Sequence, residues 1–242
     1  MLTRWSGSAS SRRRLVQSAV VFMLPLLVAV CACLPLRGDS ERQDALRTSS
    51  SAHRFVVLLD VNPNQKKVLP VEISLAEGVI QKLGQPGNTF SVITFGSKSP
   101  TLLKSGVQAT ETVAAVRDIG LGEQSGDSLS VELYDALNLA FGEFTADADS
   151  NSLLIITEGN DGHDKMFKQA LIRAQQLQVI CNVAMVANHP LYGSKAIQRY
   201  GFYLRKLAGK THGRYIEVGD GPKRVRQSTD RFSENMLGQY RR

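Results

Sequence analysis

From Phe55 onward, short wholly apolar runs alternate with stretches in which apolar residues recur every three or four positions. Phe55-Val56-Val57-Leu58-Leu59 is continuous and stops at Asp60, the pattern of a strand buried on both faces. Val68, Val71, Leu75, Val79 and Leu83 then follow at helical spacing, with Pro70 tolerable in a first turn. Gln85-Pro86-Gly87-Asn88 predicts a turn, Thr89–Phe95 a second strand, Leu102-Leu103 a short third strand, and Val113–Ile119 a short helix. Leu133, Ala136, Leu137, Ala140, Phe141 and Phe144 make the clearest amphipathic helix of the chain. Ser152–Thr157 and Val179–Val186 predict two more buried strands, separated by a helix carrying Phe167, Ala170, Leu171, Ala174 and Leu177. A short helix at Leu204, Leu207 and Ala208, a last strand at Gly213–Val218 and a closing helix with Phe232, Met236 and Tyr240 complete the pattern.

Strands alternating with helices predict an α/β fold: a mostly parallel central sheet with helices on both faces, Rossmann-like in layout. Ligands of such sheets bind at the carboxyl ends of the strands. The segments after Leu59 and after Ile156 are therefore where chemistry is expected.

Ahead of this body, Arg12-Arg13-Arg14 precede 18 residues, Ala19 to Leu36, broken only by Pro25 and Pro35. A basic flank before an apolar run predicts a targeting segment over 1–36, a secretory signal or a membrane anchor. Val30-Cys31-Ala32-Cys33 suits lipidation of Cys33, as in a bacterial lipoprotein box, and equally cleavage after Ala32. Ser11–Gln17 also looks like a twin-arginine signal. All versions predict an exported protein of the cell envelope, periplasmic or extracellular, with an N-terminal membrane attachment if the segment is retained or lipidated. Residues 37–53 are polar and predict a tether.

The net charge of +7 changes meaning once it is located. Residues 1–36 contribute four arginines and no acid, and 222–242 six basic residues against two acidic ones, so the body from 37 to 221 carries −1. A nucleic-acid surface is the poorer reading, and Lys223, Arg224, Arg226, Arg231, Arg241 and Arg242 fit a solvated helix face. Cys181 is alone in the body, so no disulfide framework holds it, and its apolar setting predicts a buried small hydrophobe.

After the first strand stands Asp60-Val61-Asn62-Pro63-Asn64, and after Ile156 stands Thr157-Glu158-Gly159-Asn160-Asp161-Gly162-His163-Asp164. Carboxylate and amide oxygens at alternate loop positions can converge on Mg²⁺ or Ca²⁺. On chemistry alone, turn and cap roles explain Asp60, Asn62 and Asn64 more simply. His163 is read the same way, beside an N-capping Asp164, and His53, His189 and His212 lack ligand spacing.

The ordered set of segments adds more. Phe55–Asp60 with its following Asn-x-Asn, Phe90–Phe95, Leu133-Tyr134-Asp135-Ala136-Leu137, Leu153–Gly159, Leu204–Ala208 with Gly213-Arg214-Tyr215, and Phe232…Tyr240 together resemble a von Willebrand factor type A domain of the bacterial, exported kind. The resemblance spans about 54–242. It implies a VWA-type sheet and a metal-ion-dependent adhesion site whose first loop reads Asp-x-Ser-x-Ser. Here Asp60 matches the aspartate, while Asn62 and Asn64 stand at the serines. The second-loop threonine falls on Val131, with Ser130 and Ser128 as displaced substitutes. The third-loop aspartate is Glu158, with Asp161 as a stand-in. The implied site is thus degenerate: Asp60, Asn62, Asn64, Ser130 and Glu158, for Mg²⁺ or Ca²⁺ if a metal is held. The implied function is a non-enzymatic interaction domain binding another protein.

An enzyme is the competing reading. A hydrophobic strand ending in aspartate also opens haloacid-dehalogenase-like phosphatases, with Asp60 as nucleophile, but Asn62 stands where their general acid would be. The chain has no Gly-x-Ser-x-Gly, no phosphate loop ending in Lys-Ser/Thr and no Cys/His metal spacing.

Overall fold

A computed structural model describes residues 53–97, 99–122, 129–145, 150–159, 164–186, 201–219 and 221–238. Its strands are β1 (His53–Asp60), β2 (Thr89–Phe95), β3 (Thr101–Val107), β4 (Ser150–Thr157), β5 (Val179–Val186) and β6 (Tyr215–Val218). Its helices are α1 (Leu69–Leu83), α2 (Ala109–Arg117), α3 (Leu129–Gly142), α4 (Asp164–Gln176), α5 (Phe202–Lys210) and α6 (Pro222–Gly238). The targeting segment, Asp161, His163, His189 and Tyr240 lie outside the described residues.

The six strands run in the order β3-β2-β1-β4-β5-β6. Only the β2–β3 pair is antiparallel. That direction follows from chain length: the few residues from Gly96 to Pro100 cannot make the crossover that a parallel neighbour requires. Predicted as a short apolar strand, β3 lies at the sheet edge, where Leu102 and Leu103 remain 37% and 38% exposed.

Alternation along β1 builds two cores at once. Phe55, Val57 and Leu59 point to a layer made by α1, α2 and α6, whereas Val56 and Leu58 point to α3, α4 and α5. This is why the strand reads as an unbroken apolar run: neither face is solvated. Between α1 and α6 the approach is close. A Cβ on Gly78 would lie 2.9 Å from Thr229 Cγ2, so glycine sets the helix spacing there. Lys82 and Asp230 pair across the same two helices.

Cys181 is fully buried in β5 and unbridged. Burial pushes its thiol up to about 12, against the opposing effect of its hydrogen bond with Thr211. It is an inert core residue, as its apolar setting predicts.

Candidate functional site at the carboxyl edge of the sheet

β1 is the hinge of the topology, because the chain builds outward from it to β2 on one side and to β4 on the other. Such a reversal opens a crevice at the carboxyl ends of the two strands. Leu59 is the register partner of Ile156, so Asp60 and Thr157 arrive together at that crevice.

Asp60 organises the edge. Its side chain is buried, Oδ1 accepts the backbone N–H of Asn62 (3.1 Å), and Oδ2 accepts the hydroxyl of Thr157 (2.8 Å). The hydroxyl oxygen of Thr157 in turn accepts the N–H of Gly159 (3.0 Å). One carboxylate thereby ties the loop after β1 to the loop after β4. The backbone adds two further ties: Val61 N–H to the carbonyl of Phe95 and Gly122 N–H to the carbonyl of Val61, both 2.7 Å. Gly96, at φ +89°, lets the end of β2 press against Asp60 Oδ1 and the N–H of Asn62.

The sequence-derived site residues divide. Asn62 is buried and spends its Oδ1 on the N–H of Asn64 (2.8 Å), which is the turn role that the chemistry of the loop allowed. Asn64 is exposed, in the short 3₁₀ turn Pro63–Gln65. Glu158 sits at the rim, partly buried, immediately after β4. Ser130 and Val131 fall in the first turn of α3, with side chains outside the described set, as is all of Ser128.

The structure also places a residue that the periodicity passed over. Val71, assigned to the inner stripe of α1, is only partly buried, and Glu72 takes the inner position. Its carboxyl group is fully buried, and neither oxygen has a hydrogen-bond partner. Desolvation, then the negative charges of Asp60 and Glu158, hold its pKa well above 4.5. The signal was available in the sequence: Val68, Glu72, Leu75 and Val79 are spaced four, three and four apart, so a carboxylate occupies the stripe. Glu132, in the first turn of α3, is a second buried carboxylate without a hydrogen-bond partner among the described residues.

These orphaned oxygens bear on the metal that the resemblance implies. A buried carboxyl group near two other carboxylates is relieved by a proton or by a cation. The carboxylates and amides at this edge are hard oxygen donors, the chemistry that Mg²⁺ and Ca²⁺ take. Among the described residues, no three Asp, Glu, His or Cys side chains stand together as a ready-made cage. Donor chemistry fits the ion, and waters would complete its shell.

Without metal, the folded state binds the Glu72 proton more tightly than the unfolded chain does. Stability is therefore greatest below pH 4.5, as far as this group is concerned, and falls as pH rises above that value toward the folded-state pKa. Glu72→Gln should remove this slope. In chelator at neutral pH it should stabilise the fold, because the neutral amide needs neither the proton that the unfolded chain has released nor the burial of a charge beside Asp60 and Glu158. Denaturant unfolding of both proteins from about pH 4, beside the ordinary glutamate pKa of about 4.3, up to about pH 8 checks this.

Comparison with known proteins agrees on the fold. BatB from Bacteroides thetaiotaomicron superposes with a TM-score of 0.59 at 14% identity, over 78% of this chain and 99% of that one. An aerotolerance-related membrane protein from Bacteroides fragilis gives 0.55 at 17% identity, over 76% and 98%. The SpRpn10 VWA domain gives 0.55 at 10% identity, over 74% and 95%. No family model matches the sequence, and no curated protein does. The chain has the von Willebrand factor type A fold: a mostly parallel six-stranded sheet between two layers of helices.

Proposed function

We propose that the body is a non-enzymatic docking domain that binds another protein through the carboxyl edge of its sheet. The observation that carries this reading is the Asp60 network. A buried carboxylate ties the loop after β1 to the end of β4, the backbone of Val61 adds the end of β2 and Gly122, and Asn64, Lys66 and Lys67 stand exposed beside this fixed rim. A pre-organised edge of this kind loses little entropy on binding. The solved structures of the same fold include a pilus adhesin, SpaC from Lactobacillus rhamnosus GG, with a TM-score of 0.58 at 9% identity, over 80% of this chain and 31% of that one.

In this reading Asp60, Asn62, Asn64, Ser130 and Glu158 hold Mg²⁺ or Ca²⁺ when it is bound, and the ion offers a partner carboxylate a place to bridge. Asp60 keeps the first loop in shape whether or not the ion is there. Arg12-Arg13-Arg14 and the apolar run behind them support placing the domain on the extracytoplasmic side of a membrane, in the cell envelope. The described residues include no helix long and apolar enough to cross a membrane.

A photo-crosslinking amino acid at Asn64, in the full chain in its own cells, should give a discrete protein adduct. The same probe at Gln85, exposed at the opposite edge of the sheet in the turn before β2, should give none. Equal adducts at both positions, or none at either, would remove the docking reading. Hydrolysis of an aryl phosphate, lost in Asp60→Asn, would move the assignment to the phosphatase alternative.

A further inference from the structure

α4 and α5 are neighbours in the helix layer over Val56 and Leu58. The rings of Phe167 and Tyr203 join them, with centroids 5.1 Å apart, and Lys206 Nζ lies 5.3 Å from the Phe167 centroid. Their inner stripes are Phe167, Ala170 and Ala174 on one helix and Leu204, Leu207 and Ala208 on the other. The outer faces join two features. Ile172 is 55% and Phe202 54% exposed, more than any other large apolar side chain among the described residues. Around them the two helices carry six basic residues (Lys165, Lys168, Arg173, Arg205, Lys206 and Lys210) against the single acid Asp164. Lys168 pairs with Asp164, and Arg205 with Glu217 of β6, so the acids beside this face are already neutralised. Lys165, Arg173, Lys206 and Lys210 make no ion pair among the described residues. Since the body from 37 to 221 carries only −1, this concentration of cations belongs to the face and not to the composition.

We propose that the α4–α5 face is a peripheral lipid-binding surface, on which Phe202 and Ile172 enter the headgroup–acyl boundary of a bilayer while the surrounding lysines and arginines bind anionic headgroups. A single exposed apolar side chain asks for no explanation. Two on packed neighbouring helices, ringed by unpaired cations, make the combination that an anionic bilayer surface complements. The long basic side chains lay their methylenes beside the apolar pair and carry their charge outward to phosphate. Residues 37–53 span at most about 60 Å when extended, so a bilayer that holds 1–36 is within reach of this face. The face lies on the flank of the sheet and the Asp60 rim at its carboxyl end, so lipid contact through α4 and α5 leaves the rim open to a protein.

The test puts benzoylphenylalanine in place of Phe202 in the full chain, reconstituted into vesicles of equal parts phosphatidylglycerol and phosphatidylcholine. Irradiation should add lipid mass to the peptide that carries position 202, and the same probe at Gln85 should give little. In phosphatidylcholine alone, or at about 1 M salt, where screening acts within about 3 Å, the yield should fall. Arg173→Gln and Lys210→Gln should each lower it about fivefold. Both side chains are exposed and free of ion pairs among the described residues, so the unfolding midpoint should not move. Equal lipid adducts at Phe202 and Gln85 would mean that the leader alone brings the chain to lipid, and would overturn the proposal. So would no lipid adduct at Phe202, a yield indifferent to phosphatidylglycerol and to both substitutions, or, in cells, an adduct at Phe202 with protein and none with lipid. The protein crosslink from Asn64 is read separately: its loss, with the lipid adduct at Phe202 kept, removes docking at the rim and leaves this face in place.

Discussion

Phe90→Ala should destabilise the body by about 3–5 kcal/mol, the usual cost of emptying a fully buried aromatic position. Phe90 has no exposed surface, and its ring stacks on that of Phe55 with centroids 5.1 Å apart and planes 21° from parallel. The two residues are register partners on adjacent parallel strands. They sit at the start of β1 and β2, beneath the layer of α1, α2 and α6. The backbone of two central strands cannot collapse into the space, so most of the cavity would remain. At about 2–4 °C per kcal/mol for a body of this size, the midpoint should fall by roughly 10 °C. Phe202, 54% exposed on α5, is the internal control. Its change to alanine should stay within about 0.5 kcal/mol. Denaturant unfolding of the two variants checks both values, and equal losses would mean that the two-layer core is wrongly drawn.

Gly96→Ala should damage the rim and the fold together. The backbone at φ +89° is costly for any residue with a Cβ, by about 1–3 kcal/mol. The added atom would also overlap Asp60 Oδ1 and lie 2.9 Å from the Asn62 nitrogen. Relief requires Asp60 to leave, which breaks the bonds to Asn62 and Thr157 and unties the loop after β1 from the loop after β4. Stability should therefore drop by more than the backbone term alone, and the crosslink from Asn64 should disappear. Gly142→Ala supplies the contrast, because nothing lies within 4 Å of its would-be Cβ at the end of α3. That variant should unfold at or slightly above the wild-type midpoint.

Most of the architecture could be read from periodicity because the two-sided burial of β1, β4 and β5 leaves no polar face to blur the runs. Where periodicity failed, buried polar residues were the cause. α6 starts at Pro222, well before the Phe232 that announces it, because its inner face includes Ser228, Thr229 and Ser233 among Val225, Phe232 and Met236. α2 begins at Ala109 rather than at Val113, since its first turn is alanine, threonine and glutamate, none of which marks a core stripe. Hydropathy does not encode strand direction, yet the short link before β3 does. At the edge of the sheet, Asp60 and Glu158 were visible as the residues that end buried strands. Gly96, Thr157 and Glu72 were not, because their roles exist only once β2, β4 and α1 are packed beside β1. A glutamate that breaks an apolar stripe is the one of the three that sequence could have flagged.

The interior of the body is held by packing and hydrogen bonds, with its one cysteine sealed inside β5. Its assembly accordingly asks nothing of oxidoreductases or of glutathione. The domain should reach the same native state in a reducing compartment as in an oxidising one.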